Sequence, residues 1–103
     1  MKLKTSKLRK LEKNRFSILT DNLDQCFICQ KSPVDIHEIY GGAKRRTSMK
    51  NGFCIPFCRH HHNLITNNSV LSNIYKMMCQ RKFEETHSRE EFMKIIGKNY
   101  INE

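Results

Sequence analysis

No run of apolar residues in this sequence approaches the roughly 18 that a membrane-spanning helix requires, so no bilayer contact of that kind is expected. The N-terminus carries charge but lacks the apolar stretch of a secretory signal, which excludes an exported, disulfide-built protein from the expectation. Acid is scarce: ten Asp and Glu stand against nineteen Lys and Arg, for a formal net charge of +9. That balance suits a polyanionic partner such as nucleic acid, with a solubilising face as the plainer alternative. Tryptophan is absent, apolar residues make up only 38 % of 103 positions, and internal repeats and low-complexity segments are missing. One small domain with a modest core is what remains, and a bound metal would be a useful staple for it.

The charge that is present is clustered. Seven of the nineteen basic residues lie between Lys2 and Arg15, opposed there only by Glu12. Leu3, Leu8 and Leu11 are the only apolar points of that segment, which reads as a marginal helix or arm able to order on a polyanion. A second cluster, Lys44, Arg45, Arg46 and Lys50, follows Gly41-Gly42.

The coarse pattern is α+β. Residues 15–20 (RFSILT) have the composition of a short strand, 26–33 (CFICQKSP) form a tight knuckle, and 34–40 (VDIHEIY) alternate as a strand. Residues 41–52 read as a loop with glycines at both ends, long enough to carry function, and 53–58 (FCIPFC) as a second strand. A helical turn or two is expected over 59–66 (RHHHNLIT), ended by Asn67-Asn68. From Ser69 the spacing of Leu71, Ile74, Tyr75, Met78 and Cys79 predicts a helix with those residues on one face. A final helix starts at a Ser88/Glu91 capping box, buries Phe92, Ile95 and Ile96, and stops at Gly97.

Five cysteines is an odd number, which favours metal binding over disulfides. Cys26 and Cys29 bracket two residues, so two thiolates can reach one tetrahedral zinc from a turn. Cys58 and His61 stand at i and i+3 on the expected helix and supply the second half-site, with 28 residues between the halves and His62 as the near competitor. Cys54 is an alternative ligand, but on a strand it lies about 13 Å from position 58; it and Cys79 read as core residues, and His87 as a surface one. Two of the three consecutive histidines are then left over, with His37 upstream on a strand. A strand histidine meeting a helix histidine beside a zinc knuckle points to a second metal site.

In this order, CFIC, DIHEI, GGAKRRTS, FCIPFC and CRHHHN resemble the motifs of the HNH endonucleases, the ββα-metal nucleases, over residues 26–66. The REEFMKIIGKNY stretch also looks like the end of small phage- or prophage-encoded members. The resemblance implies a small zinc-stabilised ββα-metal core, treble-clef-like, spanning 26–66, with a basic arm over 1–15 and two C-terminal helices over 69–103. It implies structural Zn²⁺ on Cys26, Cys29, Cys58 and His61, and a catalytic Mg²⁺ or Mn²⁺ on His37 and His62. Glu38 takes the place of the general base, as base or as further metal ligand, and Asp35 would orient His37 from behind. Lys44, Arg45 and Arg46 are the expected phosphate contacts, and Arg59 a grip on the scissile phosphate.

The implied activity is metal-assisted hydrolysis or nicking of DNA, in the cytoplasm of a bacterial host, with phage replication, recombination or packaging proteins as further partners. The chain departs from the family at three points. Glu38 stands where the base is normally histidine, leaving His60 or an outside water as other proton acceptors. Phe53 stands where an asparagine is expected, with Asn51 and Asn63 nearby. Thr66 stands where many members have a further histidine. These departures sustain the rival expectation of a non-catalytic, zinc-stabilised DNA-binding or adaptor protein, and RNA remains open as substrate.

Overall fold

The structure, a computed structural model, describes residues 6–101, so Lys2 and Lys4 of the basic arm lie outside the described residues. Along the chain run α1 (Ser6–Lys13), β1 (Asp35–Glu38), a 3₁₀ turn (Gly42–Lys44), α2 (Arg45–Asn51), β2 (Cys54–Phe57), α3 (Arg59–Thr66), α4 (Ser69–Phe83) and α5 (Arg89–Ile96). The two strands form one antiparallel pair in which Asp35 faces Phe57, Ile36 faces Pro56, His37 faces Ile55 and Glu38 faces Cys54. The Ile39 N–H carries the pairing one step further by donating to the Phe53 carbonyl at 2.9 Å.

Phe53, Phe83, Phe92 and Tyr40 interlock edge-on beneath the sheet. Centroids are 5.5 Å apart for Tyr40–Phe53 and Phe53–Phe83, with planes near perpendicular at 80° and 88°. Such pairs add to stability beyond their buried area. Ile39, Ile55, Phe57, Ile65, Cys79 and Ile96 complete the core. Phe53 is fully buried at the centre of this cluster, so the position at which the family resemblance expects an asparagine points into the core. Cys54 and Cys79 are core residues, as their patterns indicate, and burial pushes their thiols up to about 11 and about 12.

α5 follows its sequence signals closely. Ser88 and Glu91 make both hydrogen bonds of the capping box, Phe92 and Ile96 are buried, and Gly97 ends the helix in the left-handed region at φ 86°.

Three expectations need correction. Residues 41–52 are a 3₁₀ turn and a helix, not a loop. Among their few apolar residues only Met49 anchors α2, and the other buried contact is polar: the Ser48 hydroxyl donates to the Tyr40 carbonyl at 2.7 Å and accepts from the Tyr40 N–H at 3.2 Å. Gly52 closes the helix at φ 73°, with its N–H bonded to carbonyls of the last turn. Residues 15–20 form no strand. They run beside β2 through scattered bonds, Ile18 N–H to the Gly52 carbonyl at 3.0 Å and the Ser17 hydroxyl to the Cys54 carbonyl at 2.6 Å. On α4 the inward face is Leu71, Tyr75, Cys79 and Phe83, while Ile74 and Met78 are exposed, because the helix is rotated to bring Phe83 against Phe92 of α5 and Gln80 against Asn99 and Tyr100 beyond it.

α1 packs against α2. The N-terminal arm is therefore docked over its helical part, and the basic residues of residues 9–13 and 44–50 meet on one side of the molecule. None of the helices among the described residues is long and apolar enough to cross a membrane.

Candidate metal centre and adjoining cleft

The knuckle is set by backbone bonds. Cys26 N–H donates to the Lys31 carbonyl at 2.9 Å, Gln30 N–H to the Cys26 carbonyl at 2.8 Å, and Gln30 takes a positive φ of 62° to turn the chain. Phe27 N–H donates to the Pro56 carbonyl at 2.8 Å, fastening the knuckle to β2. Pro56 has no N–H to lose from a ladder, so its place in a two-stranded ribbon costs little. Cys58, directly after β2, is the N-cap of α3 and puts His61 one turn in.

The sulfurs of Cys26, Cys29 and Cys58 and a ring nitrogen of His61 all lie within 4.8 Å of one another. Cys29 and Cys58 sulfurs are 3.8 Å apart, and His61 Nδ1 is 3.5 Å from the Cys26 sulfur and 3.2 Å from that of Cys58. Tetrahedral zinc with ordinary bond lengths demands edges of about 3.8 Å between sulfurs and about 3.5 Å from sulfur to nitrogen. The donor set therefore fits a zinc-sized ion. The electrostatics fit as well. Burial opposes a Cys26 thiolate, but the backbone N–H groups of Cys58, Cys29 and Ile28 and the His61 ring outweigh it and bring the thiol down to about 6. At Cys29 the Lys31 backbone favours the thiolate, yet burial and the adjoining Cys26 and Cys58 sulfurs win and push it up. A second and third thiolate here call for a cation.

The leftover histidines converge beside this centre. The rings of His37 on β1 and His62 on α3 are 5.3 Å apart, while His60 is exposed and stacks edge-on against His61. His37 also lies against Phe57 at 5.8 Å. Burial above all, and then the nearby His62 and Lys76, push its pKa from 6.5 to about 4, which leaves a neutral imidazole with a lone pair for a ligand.

The unfolded chain binds a proton at that ring near 6.5, which the folded chain refuses until about 4. Stability from this group is thus complete above about pH 6.5 and lost as the pH falls through about 4. In urea unfolding, His37→Gln is expected to lose less stability than the wild type between about pH 7 and about pH 5. Equal losses in the two proteins would place the acid sensitivity elsewhere.

Asp35 does not back His37, as its shared strand face implies. Its carboxylate meets His62 Nδ1 at 3.0 Å and takes a two-pronged contact from Arg59, at 2.9 Å and 3.3 Å. The cause is α3, whose first turn crosses the start of β1 and brings both partners over Asp35. The His62 hydrogen bond, with Arg59 in support, holds the Asp35 carboxyl below its ordinary range. With Nδ1 so engaged, Nε2 is the nitrogen left for a ligand.

Glu38 points to the other side of the strand from His37, where Arg15 Nη2 makes a very short contact with it and Arg45 Nε stands 3.8 Å away. Arg15 belongs to the basic arm, and nothing in its local sequence marks it as a site residue. Its role comes from a pairing 23 residues away. Lys44 is half-buried and Arg46 exposed. An open cleft of about 600 Å³ gathers Arg15, Asp35, Glu38, Arg45, Arg59 and His62 on one wall system, with Asn63 at its edge. Thr66 caps its own helix turn by donating to the His62 carbonyl at 2.9 Å. Among the described residues, the three-cysteine, one-histidine set is the only group of three or more such donors close enough to share an ion.

No family model, no curated protein and no solved structure matches this chain. Among the described residues the geometry is that of a small α+β protein with five α-helices and a two-stranded sheet, and with a cysteine-histidine cluster that can hold a metal such as zinc.

Proposed function

We propose that this protein is a divalent-metal-dependent DNA endonuclease of the ββα-metal, or HNH, kind. The observation that carries the reading is the meeting of His37 and His62 at 5.3 Å, one from a strand and one from a helix that the zinc-type cluster anchors. An Mg²⁺ or Mn²⁺ ion held there would stabilise the charge that develops on phosphate and leaving oxygen. Two imidazoles, which no third donor joins in a cluster among the described residues, suit a weakly held, largely hydrated ion. His37 stays neutral through burial, and His62 is aimed by Asp35. Arg59 lies at the cleft mouth with its side chain 78 % exposed, placed to meet a phosphate. The adjoining basic residues of α1 and α2 would supply affinity through the DNA backbone with little base readout.

A second reading, a DNA-binding or adaptor protein without catalysis, draws on Glu38, which is held by two arginines instead of facing the histidine pair. Supercoiled plasmid separates the two. The wild type with Mg²⁺ or Mn²⁺ is expected to produce nicked circles, and His37→Ala to cut at least about 100-fold more slowly. Tight binding without nicking in any divalent metal would favour the second reading.

A further inference from the structure

The cleft holds two arginine–carboxylate groupings, and they differ in kind. Arg59 and Asp35 sit at the rim, and Asp35 is also committed to His62. Glu38 lies deeper, its side chain only 13 % exposed, between Arg15 at 18 % and Arg45 at 44 %. Arg15 is fixed in place from a second side, with Nη2 3.5 Å from the Met49 sulfur on α2. Two guanidinium groups from distant parts of the chain thus converge on one anion. A carboxylate and a phosphodiester present similar paired oxygens to an arginine fork, so whatever anion enters the cleft competes with Glu38 for the same donors.

We propose that Arg15 and Arg45 form a phosphate clamp for DNA that is closed on Glu38 in the free protein and opens when a backbone phosphate takes the carboxylate's place. The clamp rests on the DNA reading above. It makes Arg15 a binding residue and joins the N-terminal arm to the cleft. It also accounts for a carboxylate at the position resembling that of a general base. In the free protein that carboxylate is held by two arginines.

The clamp is tested by binding of a short fluorescent DNA duplex to zinc-loaded protein, with no other divalent metal, across a salt series. Glu38→Gln is expected to bind about 5- to 10-fold tighter, with the salt slope steeper by about one, because a released arginine gains a phosphate. Arg15→Gln is expected to bind more weakly, and adding Glu38→Gln to it should gain less than about twofold. Arg15→Lys, which keeps the charge without the fork, should restore the slope but only part of the affinity. It carries the comparison if Arg15→Gln fails to retain zinc. The proposal is overturned if Glu38→Gln leaves affinity and slope unchanged, or if its gain is as large without Arg15, the mark of general charge repulsion. Plasmid nicking with Mn²⁺ is read in parallel. Coupling without nicking keeps the clamp and removes the nuclease; nicking without coupling does the reverse.

Discussion

Chelating the metal from the three-cysteine, one-histidine centre is expected to unfold the protein. The four donors come from two places, Cys26 and Cys29 in the knuckle and Cys58 and His61 at the start of α3, so an ion held there would be the tie between them. Apparent binding free energies of structural zinc run to about 10–16 kcal/mol, as large as the whole stability of a typical small domain. Besides an ion, the knuckle is tied to the rest of the fold by the backbone bond from Phe27 to Pro56, the edge-on packing of Phe27 on Tyr75 at 6.4 Å and the burial of Cys26 in the core. Without the ion, a buried Cys26 whose thiolate is favoured and two neighbouring thiols crowd one another.

Far-ultraviolet circular dichroism should therefore show a loss of helix on adding a strong chelator and its return on adding zinc. Cys58→Ser should behave as the chelated wild type does. Helix content and melting temperature that are indifferent to chelation would contradict the assignment of all four ligands.

The second large effect is expected at His62. His62→Ala should leave the zinc centre intact, since His61 and not His62 belongs to the four-donor group, and should slow DNA nicking by about 100-fold or more. Asp35→Asn is a milder change at the same place. An amide oxygen can still accept from His62 Nδ1, but the negative charge that favours the correct tautomer is gone, so a loss of about 10- to 100-fold is expected. The order matters more than either value. If Asp35→Asn were as damaging as His62→Ala with zinc retained, Asp35 would be acting on the substrate or ion directly, through Arg59 or in its own right.

The parts of this arrangement that were legible from the sequence share a local signal. The knuckle follows from the spacing of Cys26 and Cys29, α5 from the Ser88/Glu91 box and Gly97, the first strand from alternation around His37 and the second from the apolar run around Ile55. The segments misread lack such a signal. α2 contains one apolar residue and is held to the fold by the Ser48 hydroxyl on Tyr40, a contact that hydrophobic periodicity cannot register. Residues 15–20 have strand composition, but beside β2 they make scattered bonds instead of a regular ladder. On α4, apolar residues occupy more than one face, so Ile74 and Met78 resemble core residues until packing against α5 selects Cys79 and Phe83. In the cleft, the histidine pairing was readable, whereas the partners of the carboxylates were not. No lysine or arginine lies on the strand that carries Asp35 and Glu38, and their arginines and histidine partner arrive from α3, α2 and the segment after α1.

The most direct test of the nuclease reading is a time course of supercoiled plasmid with zinc-loaded wild type and His62→Ala, started by adding Mn²⁺, with zinc content measured on the same samples. Nicked circles are expected from the wild type only, at equal zinc in both proteins. No nicking by zinc-loaded wild type, or nicking that survives in His62→Ala, would contradict that reading.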